Sequence, residues 1–277
     1  MSLLKNRPQW RFINQSTSIL QQSPLFSFAT DDTLCEEVGQ LRSKPVIRAW
    51  VHEASVVLGI QDHRLPYLPD GMKGLIEQGY TPIVRNSGGL AVVLDPGILN
   101  LSLILSEQQE KMSIDAGYEL MLELVKALFP EASSKIEAYE IVGSYCPGTY
   151  DLSINGQKFA GISQRRMRQG IAVQIYLCIE GSGANRAMLI RDFYETALKG
   201  EETKFVYPNV NPDVLASLSE LLDTNLTVQK VIQRLQHYFS TNVDLDEQQS
   251  LFSSELAKFE FYYARIIERN MKMLNEV

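Results

Sequence analysis

Cysteine and histidine are scarce in this chain, three of each among 277 residues. Cys35, Cys146 and Cys178 lie far apart, form no CxxC pair and have no histidine beside them in sequence. That pattern argues against a structural zinc site and for a reduced environment. Long apolar runs are missing as well. No segment is long enough to span a membrane, and Met1–Pro8 lacks the apolar core of a signal peptide, so a soluble, cytoplasmic protein without a membrane partner is expected. Excess positive charge is absent too: the net charge of −7 speaks against a general nucleic-acid binder. Internal repeats and low-complexity linkers do not occur. What remains is an ordinary globular composition, 45% hydrophobic, long enough to bury a full core in one large domain or two small ones.

Trp10–Asn14 reads as a first strand, with Pro24 in the loop that follows. Asp31 and Asp32 suit the N-terminal end of a helix running to about Leu41. Val46–His52 and Ser55–Ile60 are β-branched runs and so strands, and Asp70–Gln78 is a short helix stopped by Gly79. A strand from Pro82 then enters Ser87-Gly88-Gly89, and a second leaves through Ala91–Leu94. Such a glycine pair either turns a tight hairpin or lets backbone approach a ligand closely. Arg85 beside it could meet an anionic group or simply face water. Leu99–Leu105 alternates, Ser113 caps a helix to about Leu128, and Ile171–Ile179 is another strand. Beyond Gly183 the apolar period becomes helical, over Asn185–Leu198, Asp213–Leu222, Thr227–Phe239 and a closing helix Glu247–Met273. Phe252, Leu256, Phe259, Tyr263 and Ile266 share one face of that last helix. Strands first and helices last, without βαβ alternation, predict an α+β fold. The expected division is a catalytic unit over 1–240 and a C-terminal helix over 241–277 packed on it.

The most informative stretch is Gly143-Ser144-Tyr145-Cys146-Pro147-Gly148-Thr149-Tyr150-Asp151-Leu152-Ser153-Ile154-Asn155-Gly156-Gln157-Lys158. Pro147-Gly148 and Asn155-Gly156 are turn dipeptides, and the residues between them alternate like a strand. A hairpin at Asn155-Gly156 sets Asp151–Ile154 alongside Gln157–Gly161. It brings a loop thiol, Cys146, toward a strand amine, Lys158. An ammonium beside a thiol favours the thiolate and can supply a proton, as acyl transfer through sulfur requires. The plainer alternative is a cysteine packed as a small hydrophobe and a solvated lysine.

Two stretches together resemble the lipoate–protein ligase and octanoyltransferase family, which belongs with the biotin ligases. The first is Arg85-Asn86-Ser87-Gly88-Gly89-Leu90-Ala91-Val92, an Arg and a Gly pair before an Ala-Val strand. The second is Lys158-Phe159-Ala160-Gly161-Ile162-Ser163-Gln164-Arg165, a Lys-x-x-Gly-x-x-x-Arg element with a cysteine upstream. The resemblance runs from about Trp50 to Tyr194. It implies a biotin/lipoyl ligase-like catalytic domain, a mixed or antiparallel sheet with flanking helices and further helices at the C-terminus. It also implies Cys146 and Lys158 as catalytic residues, and substrate binding at Arg85, Ser87, Gly88, Gly89 and Gly161.

ATP-using members of that family carry three glycines in a row and a His-Asp pair. Leu90 replaces the third glycine here, and Val93-Leu94-Asp95 keeps only the aspartate. With Cys146 present, the resemblance favours a cysteine acyltransferase that needs neither ATP nor metal. The wording around Cys146 and Gly161–Arg166 is similar to the amidotransferase branch. Enzymes of that branch move octanoyl from a lysine of the glycine cleavage H protein to lipoyl domains of 2-oxo-acid dehydrogenases. A sister branch draws octanoyl from acyl carrier protein, and an ATP-dependent lipoate ligase or a non-catalytic lipoyl-domain binder are further alternatives. Arg165, Arg166 and Arg168 form a basic cluster that could dock an acidic carrier domain or be a solvated strand end.

Overall fold

The computed structural model describes residues 9–85 and 88–275. In chain order the elements are β1 (Gln9–Gln15), α1 (Pro24–Gly39), β2 (Val46–Trp50), β3 (Ser55–Leu58), α2 (Leu68–Glu77), β4 (Thr81–Val84), β5 (Val92–Leu94) and β6 (Ile98–Ser106). Then follow α3 (Ile114–Leu128), β7 (Ile136–Ala138), β8 (Asp151–Ile154), β9 (Gln157–Met167), β10 (Gly170–Cys178) and α4 (Gly183–Leu198). The chain closes with α5 (Leu218–Leu221), α6 (Val228–Asn242), β11 (Asp244–Gln248) and α7 (Leu256–Asn275). This is an α+β fold.

Eight strands form one mixed sheet in the order β11-β1-β2-β6-β10-β9-β8-β7, and three form a second in the order β4-β3-β5. Every residue of β2 and β6 is buried, because both faces of the large sheet are covered. Leu99, Leu101, Leu103 and Leu105 of β6 face a core shared with Leu120 and Leu124 of α3 and Val231 and Leu235 of α6. The opposite face meets the small sheet, α1 and α4, and the functional residues collect there.

Three expectations are corrected, and the choice left open at the glycine pair is decided. The first helix starts at Pro24, not Asp31: Ser23 caps it, and proline at the first helical position loses no needed N–H. Asp31 and Asp32 are instead buried in mid-helix, where Arg48 and Arg165 on the large sheet hold their carboxylates. β4 and β5 do not form a hairpin across the glycine pair. β3 lies between them, parallel to β4 and antiparallel to β5, and Gly89 and Leu90 cross over the end of β3. Gly59, just after β3, leaves room for that crossing; a Cβ there would lie 1.8 Å from the Gly89 carbonyl oxygen.

The expected helix over Asp213–Leu222 is a 3-10 turn (Pro212–Val214) and the single turn α5, separated by extended backbone. That gap is tertiary in origin: Leu215 bridges to Lys158, and the Ala216 N–H donates to the Lys158 carbonyl at 3.1 Å. The closing helix begins at Leu256, not Glu247. Asp244–Gln248 pairs in parallel with β1 and covers an otherwise open sheet edge. Phe252 and Leu256 are consequently exposed, and Tyr262 and Ile266 carry the buried contact of α7.

Candidate active site

The hairpin forms as its turn residues dictate. Asn155 and Gly156 both take positive φ, and Asp151–Ile154 pairs with Gln157–Gly161 through a bulge between Leu152 and Ser153. Lys158 thereby points into the protein and is fully buried. Its ammonium donates to the Ser144 hydroxyl at 3.2 Å and to the carbonyls of Tyr145 and Cys146, each at 3.0 Å. Its counter-charge is Asp151, 2.9 Å away. Burial raises the Asp151 carboxyl above its ordinary range, and the nearby ammonium opposes the shift.

Cys146 is half-buried and sits in the left-handed region at φ +45°. A non-glycine residue held there signals a backbone fixed by its surroundings, here by the lysine under its carbonyl. The sulfur receives donors from the other side of the site. The Leu90 N–H lies 3.3 Å from Sγ, and the Arg85 guanidinium lies 3.6 Å from it while donating to the Leu90 carbonyl at 2.8 Å. Gly89 makes this packing possible. At φ +97°, a Cβ on it would meet Arg85 at 2.1 Å and Sγ at 3.3 Å, whereas one on Gly88 would meet nothing.

A cavity of about 320 Å³ opens beside the sulfur, within the range of small-ligand sites. Arg85, Gly88, Gly89, Cys146 and Gly161 all line it, so the structure brings these expected residues together. Ser87 lies outside the described residues. The walls are largely apolar: Val57, Val92 and Leu94 come from the small sheet, Phe28 from α1 and Trp50 from β2. Among the described residues, no three His, Cys, Asp or Glu side chains are grouped to hold a metal ion. A thiol with N–H and guanidinium donors, at the edge of an apolar cavity, can accept an acyl group and stabilise the oxyanion formed on the way.

The catalytic-domain model of the lipoyl protein ligase A/B family matches residues 23–240. The chain belongs to this family. It is 64% identical over 274 residues to an octanoyl-[GcvH]:protein N-octanoyltransferase from Lysinibacillus sphaericus, with 99% of both chains covered. It is 49% identical to a lipoyl-[GcvH]:protein N-lipoyltransferase from Listeria monocytogenes, covering 96% of this chain and 95% of that one. Among solved structures, a lipoate-protein ligase A bound with ATP superposes with a TM-score of 0.67 at 18% identity, over 93% of this chain and 95% of that one. The chain is an acyltransferase built on the lipoyl ligase fold.

Within this lipoyl ligase family member, Asp95 is occupied structurally. Arg186 of α4 grips both its oxygens, at 2.6 and 2.7 Å, and also contacts the Cys178 sulfur at 2.9 Å. The arginine cluster is not the free basic patch that the sequence suggests. Arg165 pairs with Asp32, and Arg166 with Glu107 and the carbonyls of Met112 and Ser113; Arg168 is exposed at the β9–β10 turn. Carboxylates on α1 and just ahead of α3 draw the first two inward.

Sequence reasoning misses Asp151 as a partner of Lys158. The signal is present: Asp151 is two residues from Ser153, which faces Lys158 across the hairpin, so the two share a sheet face. It also misses the strut behind the glycine loop. Asp62 accepts from the Gly59 N–H at 2.7 Å and the Tyr194 hydroxyl at 2.9 Å, and that hydroxyl accepts from the Ala91 N–H at 3.3 Å. Burial pushes the Asp62 carboxyl up to about 6. These contacts join distant segments, and no local pattern announces them.

Proposed function

We propose that this enzyme moves an octanoyl group from the lysine of the glycine cleavage H protein to the lysine of lipoyl domains of 2-oxo-acid dehydrogenases, through a thioester on Cys146. The observation that carries this reading is the Cys146 sulfur itself, at the edge of an apolar cavity and facing the Leu90 N–H and Arg85. The names of the relatives supply the donor and the acyl group.

In the first half-reaction the sulfur attacks the octanoyl carbonyl carbon of the donor amide. The Leu90 N–H and Arg85 face the negative oxygen of the tetrahedral species. The carbon–nitrogen bond then breaks, the octanoyl group stays on sulfur, and the donor lysine leaves as an amine with the thiol's proton. In the second half, the acceptor lysine attacks the thioester, the carbon–sulfur bond breaks, and a proton returns to sulfur. One amide replaces another, so the overall exchange is near neutral and needs no ATP. Guanidinium groups do not serve as proton carriers in proteins. The proton traffic is therefore assigned to Lys158, with Asp151 holding it in place. The setting is cytoplasmic, where carrier proteins and reduced thiols coexist.

The test is intact-mass analysis after separate incubation with octanoylated H protein and with octanoyl-acyl carrier protein. An octanoyl adduct on Cys146 from H protein alone, absent in Cys146→Ala, is the expected result. An adduct only from acyl carrier protein would move the enzyme to the other donor. No adduct from either, with free lipoate and ATP consumed instead, would make it a ligase.

A further inference from the structure

The cavity floor has an order that its apolar walls conceal. Across the large sheet, Asp151 pairs with Gly161, Gly161 with Tyr176, Tyr176 with Asn100, and Asn100 with Trp50. All five line the cavity. The reacting end is at Asp151 and Gly161, next to Lys158 and Cys146, and the deep end is at Trp50 against Phe28. The neighbouring row is polar, with Asp31, Arg48 and Ser102 buried and Gln174 half-buried. Gln174 donates to an Asp31 oxygen at 2.6 Å, Ser102 donates to the same oxygen at 2.6 Å, and Arg48 pairs with Asp31 at 2.8 Å. On the cavity face of β6, Asn100 and Ser102 interrupt what is otherwise apolar, between Ile98 and Ile104. The Asn100 amide donates a long hydrogen bond, 3.4 Å, to the Trp50 carbonyl.

We infer that Asn100, with Gln174 beside it, is the polar stop that sets how long an acyl chain this enzyme accepts. The inference rests on the acyl-thioester reading of Cys146. From Gly161, Asn100 is two strands away, roughly 10 Å at ordinary strand spacing. An extended eight-carbon chain spans roughly 9 Å at ordinary carbon–carbon bond lengths. An octanoyl group running from the sulfur across Tyr176 therefore ends at Asn100. The ninth and tenth carbons would lie against that amide, short of the apolar surface at Trp50, and each would forgo the roughly four-fold gain that burying a methylene normally brings. The amide is tied to the Trp50 carbonyl, and the buried Asp31, Arg48 and Ser102 network in the next row leaves the floor around it polar.

The experiment measures adduct formation on Cys146 by intact mass, with H protein carrying hexanoyl, octanoyl, decanoyl or dodecanoyl groups. Wild type and Asn100→Leu are compared, with Gln174→Met as a second variant that keeps side-chain length and removes polarity. The expected result is a rise of about fifteen-fold in the decanoyl-to-octanoyl rate ratio for Asn100→Leu, as two methylenes regain an apolar wall. Octanoyl adduct should still form in both variants. A ratio unchanged within two-fold in both variants, with octanoyl adduct still forming, would overturn the acyl stop and leave the thioester reading intact. Absence of any octanoyl adduct in wild type would instead remove the thioester reading. Circular dichroism on each variant identifies a misfolded protein, and the second variant then carries the test.

Discussion

The Lys158 ammonium donates to the backbone carbonyl of Cys146 at 3.0 Å, holding the proposed nucleophile by its main chain. The same buried lysine pairs with Asp151 at 2.9 Å. On the proposed mechanism, activity and stability meet at this one side chain, and they can be separated.

Lys158→Met should abolish transfer, by at least about 100-fold if it removes the general acid–base. It should also destabilise the fold by roughly 3–5 kcal/mol, because Asp151 is left as a buried carboxylate without its counter-ion. Combining it with Asp151→Leu should recover much of the stability in urea unfolding and none of the transfer. Recovery of transfer in the double variant would show that Lys158 acts only by neutralising Asp151.

The two loop glycines should respond differently. Gly89→Ala forces a Cβ to 2.1 Å from Arg85 in a left-handed backbone, so it should lower transfer by at least about 10-fold. Gly88→Ala meets nothing within 4 Å, so its loss should be several-fold smaller. Steady-state transfer assays on the pair check this directly.

Thiol labelling near neutral pH should mark Cys146 alone in the native protein, because Cys35 and Cys178 are buried and their thiols are pushed up to about 12. In urea all three should react. Cys146→Ala should lose the native label entirely, as peptide mapping after iodoacetamide treatment will show.

Asp62 predicts a pH dependence of stability. Its carboxyl holds a proton to about pH 6 in the folded protein, against 3.8 ordinarily. Between those values the native state binds more protons than the unfolded chain. Stability from this group is thus complete below about pH 4, falls as pH rises, and levels off above about pH 6, by up to ~3 kcal/mol. Urea titrations across that window should show the fall, and Asp62→Asn should flatten it. An unchanged slope in the variant would mean that other groups cause it.

Much of the site is legible in the chain itself, because its chemistry is local. Asn155-Gly156 fixes a hairpin, the hairpin fixes the face on which Lys158 and Asp151 meet, and Pro147-Gly148 leaves Cys146 on a loop at its mouth. Ser113 and Thr227 stand as caps where helical periodicity begins. Elements governed by distant partners are not legible in the same way. Asp31 and Asp32 look like helix-start residues until the arginines of β2 and β9 claim them. The 213–222 segment has helical periodicity, but pairing with Lys158 straightens its middle. Asp244–Gln248 has no strand-like apolar alternation, yet β1 leaves an edge to be covered.

The sequence by itself thus determined the α+β class, the hairpin, and the family resemblance that places Cys146, Lys158 and the Gly88-Gly89 loop in one site. Turn and cap preferences act over a few residues, so they survive in a string of letters. Only the tertiary structure decided that the sulfur faces Leu90 and Arg85 while Lys158 holds its carbonyl. It alone set Asn100 in the floor of the cavity, two strands from Gly161. Those relationships depend on strand order and on β3 lying between β4 and β5, where long-range burial, not local preference, selects the neighbours.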